Sequence, residues 1–370
     1  EVEGMKLLGT FCYNPQAVFP VYFVMRVSKR PAATGFWKKQ PPKQGVEAEW
    51  DKDAGNYKLY TQYGKDIAGD DVGVWFSYDM QPGEQVEVRM GVSFVSAENA
   101  RLNLEAEQQG RSFDDIRAAA RRTWNDDLGR IRVEGGTEAQ KKVFYTGLYH
   151  ALIHPNVLSD VNGEYPAMES AEIRTAEGNR YTVFSLWDTY RNLHQLLTLV
   201  YPERQLEMVR SMVGMYREWG WLPKWELYGR ETFTMEGDPS IPVIVDTWMK
   251  GLRDFDMDAA YEAMRKSATT PGARNRMRPD IDPYIEKGYV PLYARDLSGD
   301  NSVSHALEYY IADHALSLLA DSLGKKDDAA LFRARSLGYK NYYSTESGTF
   351  RPITKEGKFL TPFDPRQGEN

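Results

Sequence analysis

From the start of the chain to about residue 96, apolar residues recur at every second position. In "EQVEVRMGVSFVS", Val86, Val88, Met90, Val92 and Phe94 alternate with polar residues, which predicts a strand with one face on a core and the other in water. "VFPVYFVMRV" and "VGVWFSYDM" predict similar strands, and turns such as "QPGE" separate them. This is the pattern of an antiparallel sandwich.

Near residue 112 the period lengthens. Phe113, Ile116, Ala120, Trp124 and Leu128 recur at helical spacing, and Ser112 with Asp115 has the form of a capping box, so a connecting helix is expected. Thr137 and Gln140 form a second box, opening a helix that carries Phe144, Leu148 and Leu152 and stops before Pro155. Helices follow over roughly 185–200, 203–218, 240–252, 256–267, 303–322 and 327–343. Several of the loops between them run to about 15 to 30 residues, a length more often functional than idle. The reading divides the chain into strands at 1–97, a linker helix region at 98–136 and a helical domain at 137–370.

Composition narrows the partners. The 370 residues carry 46 basic and 53 acidic side chains, a net charge of −7, with no basic run long enough to follow a phosphate backbone, which argues against nucleic acid. No stretch approaches the ~20 apolar residues of a membrane span. Cys12 is the single cysteine, which leaves neither a disulfide framework nor a thiolate metal cluster.

The chemistry is concentrated in a few stretches. "GWLPKWELYGRETFTMEGDPSIP" mixes tryptophans with acids, while its glycines and prolines fix its path. Such a wall suits a sugar, with indole plates for the C–H faces and charged groups for paired hydroxyls. The bland reading is that Trp221 and Trp225 only pin a long loop. In "SLWDTYRNLHQLL", Trp187, Asp188 and Arg191 fall on the first turn of a helix, where Asp188 could equally serve Ser185 as a capping-box partner. His150 and His154 are four residues apart, but Ala151 stands where a zinc-protease motif needs glutamate, so His154 is expected to cap a helix or line a cleft. His194, His305 and His314 sit in apolar helical patterns and are expected to be satisfied core histidines. No phosphate loop, nucleophile elbow or paired-cysteine motif is present, which leaves carboxylates as the chemical tool.

Together "VEGGTEAQKKVFYTGLYHALIHPN", "DVNGEY", "FSLWDTYRNLHQLLTLVYPE", "GWLPKWEL", "GDPSIPVIVDTWMKG", "VSHALEYYIADHALSLLADSLGK" and "FLTPFDPR" resemble, in order, the family 92 glycoside hydrolases, calcium-dependent exo-acting α-mannosidases. The resemblance implies an antiparallel β-sandwich followed by an (α/α)6 toroid, here incomplete, and inverting release of terminal mannose from α-mannosides, the α-1,2 linkage foremost. It puts Trp187 and Asp188 in the subsite for the terminal mannose, with Arg191 beside them, and makes Lys224, Trp225, Glu226 and Asp238 pocket walls. It also implies mannose-containing glycans as partners and a periplasmic or extracellular location. The general acid, the general base and the Ca2+ ligands are expected beyond Asn370, in the remainder of the same polypeptide. Glu369 is the nearest acid within the chain, in surroundings unlike the family motif. Rival readings are a carbohydrate-binding protein without catalytic carboxylates, and another toroid enzyme such as a phosphorylase or glucosidase.

Overall fold

The computed structural model describes residues 1–9, 17–39, 50–51, 56–57, 59–63, 67–69, 72–292 and 301–366. Cys12 and Glu369 lie outside the described residues. Strands Val2–Gly9, Val18–Val27 and Val88–Ser93 form one three-stranded sheet in that order. By packing, the chain divides into a unit of Glu1–Val2 and Val24–Met90 and a unit of Glu3–Phe23 and Gly91–Asn370.

The first unit contains a second antiparallel sheet, in which Ala33–Lys39 lies between Leu59–Tyr63 and Val72–Ser77. The alternation predicted around Val88–Ser93 is real, but its faces are reversed. Val88, Met90 and Val92 are exposed, whereas Gly91 and Ser93 are buried. In the second unit the cause is local. Helix α1 (Ala97–Gln108) lies so close that a Cβ on Gly91 would meet the Ala100 carbonyl oxygen at 2.1 Å, and only glycine permits that approach. The Ser93 hydroxyl donates to Asp160 over 2.6 Å, which also accepts from Asn99 (2.8 Å) and Asn103 (2.6 Å), so the buried face of the strand is a polar joint.

Helices α2 (Phe113–Leu128) and α3 (Glu138–Ala151) begin at the two predicted capping boxes, both formed in full. The helix expected over 185–200 is broken: α4 (Leu186–Thr189) and α5 (Leu193–Val200) are separated at Asn192. Helix α6 (Pro202–Trp219) starts on a proline, whose missing N–H costs nothing in the first turn, and stops at the left-handed Gly220. Then come α7 (Ser240–Met249), α8 (Met257–Thr269), α9 (Ile281–Lys287), α10 (Ser302–Ser322) and α11 (Lys326–Ser336). Met208, Met212, Ile244, Met264, Leu316 and Phe332 belong to one buried cluster contributed by α6, α7, α8, α10 and α11. This core fixes the helix ends that carry the loops.

Candidate active site

Two stretches that stand out in the sequence meet through backbone pairing. Strand Phe184–Ser185, immediately before α4, runs antiparallel to Trp225–Leu227, with Phe184 opposite Glu226 and Ser185 opposite Trp225. Trp225–Leu227 then turns back on Arg230–Glu231. The Trp-Asp turn and the tryptophan-rich loop are therefore one platform.

Two buried carboxylates shape it. Glu226 accepts from the Thr182 hydroxyl (2.8 Å) and from the amides of Val183 (3.0 Å) and Gly229 (2.6 Å); even so, burial pushes its pKa up to about 7. Glu231 accepts from the amides of Lys224 (2.9 Å), Trp225 (3.0 Å) and Phe233 (2.9 Å), and burial raises it as well. These bonds satisfy amides that no regular ladder would reach. Two of the bonded amides belong to Val183 and Phe233, which sit at positive φ, a strained setting that persists only where the surroundings over-determine it. Glu226 thus braces the platform from inside rather than facing a ligand. Lys224 is buried too, at 2% exposure, beside Glu231. Trp225 is half-buried.

Asp238 has a different place. Its carboxylate accepts from Ser267 (2.6 Å) and from Arg278 (2.8 Å), and the fully buried Arg278 reaches on to Asp313 (2.8 Å). Asp313 also pairs with Arg335 and accepts from the Tyr284 hydroxyl. Asp238 belongs to a paired core network. The Lys266 ammonium lies 4.6 Å from the centre of the half-buried Trp221 ring.

Trp187 and Asp188 lie on α4 and Arg191 just past its end. Asp188 and Arg191 are exposed and Trp187 is half-buried. The Ser185 hydroxyl donates to the Asp188 carboxylate, but makes no side-chain bond to a helix amide, so the expected capping box is absent. The Arg191 guanidinium lies 4.8 Å over the Trp187 ring and 4.9 Å over that of Tyr190. The residue that sequence reasoning missed is Glu308 of α10. It accepts from Tyr190 (2.7 Å) and Arg191 (2.9 Å), and burial raises its pKa against those two partners. Its only signal in the sequence was an acid in a largely apolar helix that also carries Asp313 and Asp321.

The histidines divide: His314, expected in the core, is exposed on α10, whereas His194 and His305 are buried. His194 is a satisfied core residue between Thr189 (3.0 Å) and Gln205 (2.9 Å), its pKa lowered by burial to about 4. His305 is buried against Glu236 and Asp280. His154 bonds Asn156 at 3.1 Å and lines a cavity of about 510 Å³ with Asn179, Arg204 and Glu207. Among the described residues no group of three or more His, Cys, Asp or Glu is placed to hold a metal. In the oxygen-rich corner at Asp160 and Glu164, the amides of Asn99, Asn103 and Asn162 donate to the two carboxylates.

Residues 1–93 match the N-terminal domain of glycosyl hydrolase family 92 and residues 99–370 its catalytic domain. The chain is similar to a family 92 α-mannosidase from Bacteroides thetaiotaomicron solved in complex with mannoimidazole, at 32% identity and a TM-score of 0.82, over 98% of this chain and 45% of that one. A family 92 inverting mannosidase from the same organism gives 28% identity and a TM-score of 0.84, over 98% of this chain and 46% of the other. An uncharacterized secreted glycosidase of Arthroderma benhamiae is 27% identical over 293 residues, 76% of this chain and 33% of that protein. The chain spans less than half the length of these relatives. With both domain profiles matched across nearly its whole length, it belongs to glycosyl hydrolase family 92.

Proposed function

We propose that the polypeptide to which this chain belongs releases terminal mannose from α-mannosides, α-1,2-linked ones among them, by inverting hydrolysis. The observation that carries this reading is the exposure of Asp188 and Arg191 at the Trp187 turn, which backbone pairing joins to the strand of Trp225. Asp188 is suited to accept from a pair of ring hydroxyls and Arg191 to donate to one, while the indoles of Trp187 and Trp225 offer an apolar face. One relative solved with mannoimidazole and another that is an inverting mannosidase support the substrate and the stereochemistry.

In this reading Glu226 and Glu231 fix the loop, and Lys224 acts through Glu231. Asp238 supports the loop from the core. Calcium is proposed as the cofactor, with oxygen ligands drawn from outside the described residues. The two catalytic carboxyl groups are likewise proposed to lie outside the described residues. An inverting pair stands roughly 6.5 to 9.5 Å apart to admit a water. Exposed apolar residues on α3, Val143 and Tyr149 among them, offer the remainder of the polypeptide a surface to pack on. A secreted relative supports a periplasmic or extracellular location.

The test uses the whole polypeptide with α-1,2-linked mannobiose, following the anomer first released by NMR, with and without exhaustive chelation. β-Mannose as first product, and loss of turnover on chelation, are expected. Release of α-mannose removes inversion, full turnover after chelation removes calcium, and sugar binding without any turnover favours a carbohydrate-binding protein.

A further inference from the structure

A carboxylate inside a packed helix is costly unless its partners restore what water supplied. Helix α10 buries one face, Tyr309, Ala312, Asp313 and Leu316 among its residues, and Glu308 lies at the edge of that face with its side chain 11% exposed. The loop in front of it makes room: Gly237, at φ +72, would bring a Cβ within 2.6 Å of the Glu308 Cβ, so no other residue fits there without displacing the acid. All the hydrogen bonds that Glu308 accepts among the described residues come from the Trp-Asp turn. Tyr190 donates to Oε2 and Arg191 to Oε1, and the buried Trp187 indole N–H approaches without completing a bond.

The consequence falls on Arg191. Its Nε donates to the Trp187 carbonyl (3.1 Å), one Nη2 hydrogen goes to Glu308, and its plane lies over two aromatic rings. A long side chain that is 46% exposed would otherwise sample many rotamers, and a ligand would have to meet the cost of fixing it. With its inner edge anchored, the outer edge, including Nη1, has no hydrogen-bond partner among the described residues, and neither has Oδ1 of Asp188, three residues earlier in the chain.

We infer that Glu308 is the positioning residue of the sugar subsite: it holds Arg191 in place so that Arg191 as donor and Asp188 as acceptor receive adjacent hydroxyls of a neutral pyranose. This rests on the mannoside reading above. Glu308 acts through Arg191 and does not touch the sugar.

The experiment joins a ligand-independent readout to a ligand-dependent one, on the whole polypeptide. Phenylglyoxal labelling of Arg191, read by peptide mass spectrometry, is compared between the unaltered protein and Glu308→Gln, which keeps the size of the side chain. Loss of a charge-assisted bond should speed labelling about tenfold. Binding of methyl α-mannoside by calorimetry is then measured for Glu308→Gln, Arg191→Ala and the double variant. Each single change should weaken binding about tenfold or more, and the double variant should be no worse than Arg191→Ala. Unchanged labelling overturns the inference, and so do additive losses in the double variant. If the unaltered protein binds no mannoside, the mannoside reading fails while the labelling still decides whether Glu308 holds Arg191. Glu308→Asp, which restores the charge on a shorter stem, should recover part of the Arg191 protection.

Discussion

Glu226 stages a contest whose outcome can be measured. Burial opposes its charge, three donors favour it, and burial wins: the pKa moves from 4.5 to about 7. The folded protein therefore holds this proton more tightly than the unfolded chain. The contribution to stability is fully present below pH 4.5 and is lost as pH rises through 7. A rise of about 2.5 pH units at about 1.36 kcal/mol each amounts to about 3 kcal/mol, lost with a slope of up to about 1.4 kcal/mol per pH unit. Glu226→Gln has no proton to exchange at this site and serves as the reference. Urea unfolding of both proteins, followed by tryptophan fluorescence at fixed pH values from 4 to 8, gives the difference in stability free of every other titrating group. That difference should fall by about 3 kcal/mol in favour of the variant between pH 4.5 and 7.5. A flat difference would refute the reasoning. A difference that rose with pH would mean that the hydrogen bonds outweigh desolvation and that the carboxylate is held charged.

Asp188→Ala should weaken mannose binding by ~2 kcal/mol or more by calorimetry and leave the melting temperature nearly unchanged, because the side chain is exposed and makes no cap bond to the helix. Normal binding with a loss of about 1 kcal/mol in stability would instead restore the helix-cap role. Asp313→Asn removes the charge facing Arg278 and Arg335 at a site with no exposure, and should cost about 3 to 5 kcal/mol in urea unfolding. A cost below about 1 kcal/mol would show that the network is not energetically coupled.

The sequence by itself determined what contiguous residues can settle. Both capping boxes formed as spelled by Ser112 with Asp115 and Thr137 with Gln140, because a cap needs only its own four residues. The period also gave most of the helices and the strand-rich start of the chain. Period alone could not say which face of Val88–Ser93 is buried, since that was decided by α1 pressing against Gly91. It gave Trp187, Asp188 and Arg191 as a group, of which the first two lie on α4 and Arg191 follows just past its end.

The roles of the remaining acids came only from the tertiary structure. Glu226, Asp238 and Glu308 look alike in sequence, yet one braces a hairpin, one neutralises Arg278 and one anchors Arg191 from 117 residues away. What a buried charge does is set by the partner that compensates it. That partner arrives from elsewhere in the chain and leaves no trace in local spacing.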